Sequence, residues 1–310
     1  GMVEGAYHPG RHEVRGICED ASDGSTVGSR TALPFCCGAE GCAGEDGPLW
    51  RRPAVHAGDS RAFRTGCGKE EGMEEAWEKL KKIIDETDNI VFFGGGGVST
   101  ESGIPDFRSV DGLYNQNYDY PPETILSHTF YRRMPEEFFR FYRDKMLCLD
   151  AKPNAAHRKL AEWEAKGKLK AVITQNIDGL HQLAGSKNVL ELHGSVHRNY
   201  CERCHKFYDA EYMLHTEGVP KCSCGGTIKP DVVLYEEGLD NRTLTRAVEY
   251  ISRADVLIIG GTSLAVYPAA GLIDYYEGNK LVLVNKTPTS RDAQADLVVQ
   301  GSIGEIFSRL

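Results

Sequence analysis

Six short apolar runs, separated by stretches of helical period, constrain this chain more than any other feature. The runs are 90–93 (Ile-Val-Phe-Phe), 170–174, 188–192, 255–260, 280–285 and 296–299, and they read as buried strands. Helical patterns at 74–86, 135–147, 154–166, 240–253 and 268–277 separate several of them. Alternation of this kind predicts an α/β fold built on a doubly wound, mainly parallel, Rossmann-like sheet. The first run leads into Gly94-Gly-Gly-Gly97. Strand, glycine turn and helix open a dinucleotide-binding unit, because positions without side chains let backbone N–H groups approach a pyrophosphate. Taken alone the segment is equally an ordinary turn, and it lacks the Gly-x-Gly-x-x-Gly spacing of ordinary dehydrogenases.

With 310 residues, 41% of them hydrophobic, the chain can bury a sizeable core in one large domain or two smaller ones. A net charge of −9 offers no broad attraction for nucleic acid or an anionic membrane. No run approaches the roughly 20 apolar residues of a bilayer span, and the start lacks the basic-then-apolar pattern of a secretory leader. A cytoplasmic protein is expected, without nucleic-acid or membrane partners.

Composition shifts near Met73. Residues 1–72 hold 14 of the 34 glycines and five of the ten cysteines (Cys18, Cys36, Cys37, Cys42, Cys67), with no periodic apolar run. This segment is expected to be disordered, or to lie upstream of the natural start, with a small cysteine-dependent module as the alternative. The opening Gly-Met reads as a cloning remnant. Residues 73–310 are expected to fold as one domain, with a Rossmann-like part at 73–197 and 230–310 and a small insertion at 198–229.

The insertion carries Cys201-x-x-Cys204 and, after seventeen residues, Cys222-x-Cys224. Two such thiol pairs in a reducing compartment can close a tetrahedral four-sulfur site for zinc. The second pair is shorter than the commoner Cys-x-x-Cys, and Gly225-Gly226 can relax its turn. Four thiolates leave no open position for water, so the zinc is expected to be structural. Free buried cysteines, an iron–sulfur cluster, or His205 as a substitute ligand are the alternatives.

Beyond the glycine loop the chain reads Ser99-Thr-Glu-Ser-Gly-Ile-Pro-Asp-Phe-Arg108, then Gln175-Asn-Ile-Asp178 with Leu180-His181, then Glu191-Leu-His-Gly-Ser195. Gly261-Thr-Ser-Leu-x-Val-x-Pro268 and Asn285 follow. This series resembles the sirtuins of bacterial type, NAD-dependent protein deacylases that carry Gly-Ala-Gly-x-Ser, Gly-Ile-Pro-Asp-Phe-Arg, Gln-Asn-Ile-Asp and Leu-His-Gly in that order. Gly96 stands where the family has alanine, a change expected to perturb rather than abolish binding.

The resemblance implies that Gly95, Gly96, Gly97, Ser99, Asp106, Phe107 and Arg108 contact NAD, with Ile104 and Asp106 lining the nicotinamide pocket. Core packing is the alternative for Phe107. Gln175, Asn176 and Asp178 would fix ribose hydroxyls and the carboxamide. Gly261, Thr262, Ser263 and Asn285 would hold phosphates, ribose and adenine. His193 stands at the family's catalytic base, working with Asn176 and Asp178, and a histidine accepts a proton near neutral pH.

The implied reaction consumes NAD and acetyl-lysine and yields lysine, nicotinamide and O-acetyl-ADP-ribose. The acyl oxygen attacks the carbon bearing nicotinamide, His193 takes a proton from the ribose diol, and water completes the transfer. Acetylated or otherwise acylated proteins are the implied partners. Their extended peptides would add as a strand along Val233, Leu234, Tyr235 and Glu236. Glu236 replaces a family glycine and is expected to tilt peptide choice toward basic flanks. The helix Phe138–Lys145 lacks the Tyr-x-x-Arg of sirtuins that remove dicarboxylic acyl groups, its nearest pair being Tyr142 and Lys145, so uncharged acyl groups are expected. The rival readings are a sirtuin-like ADP-ribosyltransferase, which retention of His193 disfavours, and a non-catalytic NAD-sensing interaction protein.

Overall fold

The computed structural model describes residues 67–106 and 118–310. The expectations for residues 1–66, and those for Phe107 and Arg108, lie outside the described residues.

All six apolar runs are strands of one parallel sheet. They are β1 (Ile90–Gly94), β2 (Leu169–Thr174), β3 (Val189–Glu191), β7 (Val256–Gly260), β8 (Lys280–Asn285) and β9 (Leu297–Gln300), in the order β3-β2-β1-β7-β8-β9. The intervening β4 (Gly194–Cys201), β5 (Phe207–Tyr208) and β6 (Ile228–Val232) form a separate antiparallel sheet in the order β5-β4-β6. In the large sheet the chain leaves β1 toward β2 and β3 on one side, then returns to β7, β8 and β9 on the other. The carboxyl ends of β1 and its neighbours therefore flank the point where winding reverses, which is where such sheets leave a crevice.

Strand residues alternate between two cores because successive side chains point to opposite faces, with one irregularity near the start of β2. Ile90, Phe92, Val172, Ile258 and Val284 pack with α1 (Cys67–Asp85), α5 (Ala155–Ala165) and α9 (Ile303–Ser308). Val91, Phe93, Ile173, Ile259 and Leu283 face Ala247 and Ile251 of α8 (Asn241–Arg253), together with Ala269, Leu272 and Ile273. Helices on both faces explain why the centres of the strand runs carry apolar residues at consecutive positions.

A third core differs from the expected partition. It joins α2 (Pro122–Ile125), α3 (His128–Arg133) and α4 (Pro135–Phe141) to the antiparallel sheet and α7 (Ala210–Leu214). Phe138 packs edge-on against Tyr131 and Phe139, each at 5.1 Å between ring centroids. The antiparallel sheet itself spans Gly194–Val232, wider at both ends than the expected 198–229. The cysteine spacing marked the metal knuckles but not the strands that carry them.

Four helical expectations also shift. Helix α1 starts at Cys67, ahead of Met73, because an established helix propagates into residues without an apolar pattern. The helix expected after the glycine loop is replaced by two 3-10 turns, Gly96–Val98 and Thr100–Ser102, since consecutive glycines pay a high backbone-entropy cost in a helix. The helical pattern at 268–277 is a 3-10 helix, Ala269–Tyr275, and the one at 135–147 ends as a π turn, Tyr142–Met146.

Between α5 and α6 (Leu180–Leu183), His157 and His181 are almost wholly buried, with ring centroids 4.7 Å apart. His157 Nδ1 accepts from the Asn154 backbone N–H at 3.2 Å, whereas His157 Nε2 and both nitrogens of His181 have no partner among the described residues. Burial holds His157 below its ordinary value, and burial followed by the neighbouring His157 pushes His181 down to about 3. The unfolded chain takes up these protons near pH 6.5, so stability is full above that value and is lost as pH falls toward the folded values. At about 1.4 kcal/mol per pKa unit and group, unfolding free energy is expected to drop by about 2–4 kcal/mol between pH 7 and pH 5. Denaturant titrations at both pH values, on the native protein and on His181→Leu, test this: equal losses in the two proteins would remove the histidines as the cause.

Candidate active site

The glycine loop leaves the carboxyl end of β1 and lies against the end of β7. Gly95 N–H donates to the Gly260 carbonyl at 3.3 Å, and Gly97 N–H donates to the Gly261 carbonyl at 2.8 Å. A Cβ on Gly97 would sit 2.9 Å from Gly261 Cα, and one on Gly95 would sit 2.8 Å from Thr262 Cβ. Any larger residue at 95 or 97 would push the two loops apart, so the backbone cradle depends on both glycines. At Gly96 the added atom would meet, among the described residues, only Asp106, at 3.2 Å, so an alanine nearly fits there.

Ser99 is buried in the turn that follows, and its Oγ donates to Asp178 Oδ2 at 2.6 Å while accepting from Asn176 Nδ2 at 3.0 Å. Asp178 Oδ1 accepts from the Leu180 N–H at 2.9 Å, which fixes the carboxylate against the start of α6. The loops after β1 and β2 are thus joined by a serine, an amide and a carboxylate, the donor and acceptor types that hold ribose hydroxyls and a carboxamide. Ile104, half-buried, returns its N–H to the Ser99 carbonyl at 3.3 Å, and Asp106 lies beside Gly96.

On the opposite bank Gln175 Nε2 donates to Thr262 Oγ1 at 3.2 Å. Asn285 grips the same residue twice, accepting from Thr262 N–H at 3.0 Å and donating to the Thr262 carbonyl at 3.1 Å. Its carboxamide thereby shapes the turn carrying Gly261, Thr262 and the exposed Ser263.

His193 follows β3 at the entry to β4. Its Nδ1 lies 3.0 Å from the Gln175 carbonyl oxygen. A carbonyl can only accept, so Nδ1 carries the proton and Nε2 keeps its lone pair. Burial holds the imidazole below its ordinary pKa, with the Gln175 hydrogen bond opposing that shift. At neutral pH His193 is therefore a neutral, oriented base.

The His193 carbonyl accepts the Val233 N–H at 2.9 Å, tying the residue to the proposed peptide segment. That segment is a loop whose backbone is largely engaged already. Leu234 N–H donates to Glu237 Oε2, Tyr235 N–H to the Leu126 carbonyl, and the Tyr235 carbonyl accepts from His128. A peptide pairing along Val233–Glu236 would have to use groups other than these. Glu236 sits in the left-handed region at φ 75°, and its carboxylate accepts the Thr129 N–H at 2.8 Å. A non-glycine residue there costs of order 1 kcal/mol, which the carboxylate contact offsets. Arg198, unremarkable in the sequence, bridges Glu191 at 2.6 Å and Asp231 at 2.8 Å, each two residues before His193 and Val233.

The four sulfurs of Cys201, Cys204, Cys222 and Cys224 lie within 4.8 Å of one another, with Cys201–Cys224 at 3.4 Å and Cys204–Cys222 at 3.5 Å. A tetrahedron with Zn–S bonds of about 2.3 Å has edges near these values, so the set fits one zinc ion. The Cys222 thiol is held below its ordinary value, first by the Cys224 backbone N–H and then by the Tyr208 hydroxyl, which suits a thiolate ligand. His205 is not a member of the cluster. The short Cys-x-Cys knuckle closes because Gly226 has no side chain: a Cβ there would lie 2.6 Å from Cys201 Sγ.

Comparison with known proteins places this geometry. The description of the Sir2 family matches residues 95–268. An NAD-dependent protein deacetylase of Clostridium acetobutylicum is 63% identical over 233 residues, covering 74% of this chain and 95% of the relative. A solved Sir2 structure with a p53 peptide and NAD+ aligns at TM-score 0.67 and 42% identity, covering 75% of this chain and 95% of that one. Another, with a deacetylated p53 peptide and 3'-O-acetyl ADP ribose, aligns at TM-score 0.69 and 41% identity, covering 75% and 96%. With a family match across more than half of its length and a deacetylase relative 63% identical over 95% of that relative's length, the chain belongs to the Sir2 family.

Proposed function

We propose that this chain is an NAD-dependent protein lysine deacetylase, and that His193 is its general base. The observation that carries the reading is the Nδ1–Gln175 bond, which leaves Nε2 as the acceptor on the loop beside Gln175–Asp178. NAD, as co-substrate, supplies a sugar carbon whose bond to nicotinamide can open, and the acyl group ends on the ADP-ribose product. Gly95 and Gly97, lacking side chains, would leave room for the phosphates beside the 261–263 turn, and Ser99, Asn176 and Asp178 would hold the ribose and carboxamide side. His193 would accept the ribose hydroxyl proton, with its low pKa keeping it unprotonated at neutral pH. Cys201, Cys204, Cys222 and Cys224 would hold a zinc ion that serves the fold, since four thiolates would leave it no open position.

Uncharged acyl groups suit the helix that would line the acyl pocket. Tyr142 is wholly buried against Phe138, 5.8 Å between centroids, and Lys145 pairs with Asp144 at 3.1 Å, so the two form no anion-binding fork. Acyl-lysine proteins are the proposed partners. Among the described residues no helix is long and apolar enough to cross a membrane. A cytoplasmic location belongs to the same proposal, supported by a four-cysteine set arranged for a metal ion, the use of such thiols that suits a reducing compartment.

Incubation with NAD and a panel of acyl-lysine peptides tests the reading. Nicotinamide release is expected only with an acylated peptide, and acetyl is expected to outperform succinyl. Release of nicotinamide and labelling of protein with ADP-ribose in the absence of acyl-lysine would replace this reading by the transferase.

A further inference from the structure

We infer that Asn154 is a positioning residue for the NAD site, holding the Ser99 turn at its working height. The inference rests on reading that turn as part of the NAD site. Two consecutive 3-10 turns, Gly96–Val98 and Thr100–Ser102, carry little stability of their own, being short and poorly hydrogen-bonded. Their place is set from outside. Asn154 Nδ2 donates to the Val98 carbonyl at 2.7 Å and to Ser102 Oγ at 3.0 Å, one contact in each turn, on either side of Ser99. The same carboxamide cannot swing away, because its Oδ1 accepts the Ala156 N–H at 2.9 Å and its backbone N–H donates to His157 Nδ1 at 3.2 Å. The amide is thereby fixed at the head of α5 with its donor side facing the loop. Glu101 anchors the loop on a second side, its Oε2 accepting the Gly304 N–H of α9 at 2.7 Å.

The carbonyl that Asn154 holds belongs to the peptide bond leading into Ser99. Moving it displaces the hydroxyl that joins Asp178 and Asn176. The consequence falls on NAD, not on the peptide segment at 233–236, which hangs from His193, Leu126 and His128.

The two functions of Asn154 separate by substitution. In Asn154→Asp the carboxylate caps α5 as well as the amide does but cannot donate to Val98 or Ser102. Asn154→Ser also caps the helix and is too short to span the loop, so it covers the case in which the aspartate variant folds poorly. In full-length zinc-loaded protein, KM for NAD is expected to rise roughly five- to tenfold in both variants, the loss of one or two hydrogen bonds. KM for the acetyl-lysine peptide should stay within twofold, with zinc content and melting temperature near the native values. An NAD KM within twofold of native, or equal increases in both KM values with a fallen melting temperature, would overturn the inference. Native protein that neither binds nor consumes NAD would overturn the functional reading, and this inference with it.

Discussion

Replacing His193 by Gln is expected to lower kcat by about 10²–10⁴-fold, the usual contribution of a positioned general base. NAD affinity should change only a few-fold, because Ser99, Asp178, Gln175 and Thr262 hold one another without the imidazole. Calorimetric NAD binding beside steady-state turnover makes the comparison. The native pH profile carries the sign of the same argument. The base is active when neutral, and burial lowers its pKa, so the acid limb of kcat/KM should fall below pH 6.5 and activity should persist at that pH. An acid limb at or above 6.5, or a His193→Gln variant keeping a tenth of native turnover, would take the base away from His193.

Removing zinc is expected to unfold the small lobe and to abolish activity while the parallel sheet persists. A structural zinc site contributes apparent free energies of about 10–16 kcal/mol, comparable with the whole stability of an ordinary domain. Cys201 and Cys222 are buried members of the core that includes Val196, Met213 and Ile228, so freeing the thiols opens that core directly. The large sheet keeps two cores made of its own strands and helices. The damage should reach the site through β4 and β6, which begin one residue after His193 and end one residue before Val233. Chelation followed by limited proteolysis should cut within 194–232 and spare 255–310. Gly226→Ala should act in the same direction, with zinc content below one per chain, because its methyl group would meet Cys201 Sγ at 2.6 Å. A metal-free protein that resists cleavage in the lobe would show that packing alone holds it.

Much of this was readable from residue order. Each of the six apolar runs became a parallel strand, because the central positions of strands covered by helices on both faces are apolar on both faces. The cysteine pairs converged, since four ligands at short spacings in two knuckles have few ways to close. Less readable was anything that depended on side-chain direction. Asn285 reads as a nucleotide ligand in the motif, yet its carboxamide grips Thr262 on both sides. Asn154 carries one legible signal, a capping residue ahead of a helix, and nothing in its neighbourhood announces the partners 52 and 56 residues away. Arg198 gave no signal at all, because its two carboxylates come from different strands.

Strand identity, winding and the thiol set follow from the sequence by itself, because they depend on local patterning and short spacings, whereas the site residues were named through the resemblance of their motifs to a family. Tertiary structure alone decided which nitrogen of His193 is free, how the glycine loop is propped, and where the second lobe begins. Those outcomes turn on hydrogen bonds between segments distant in sequence, whose directions no periodicity records.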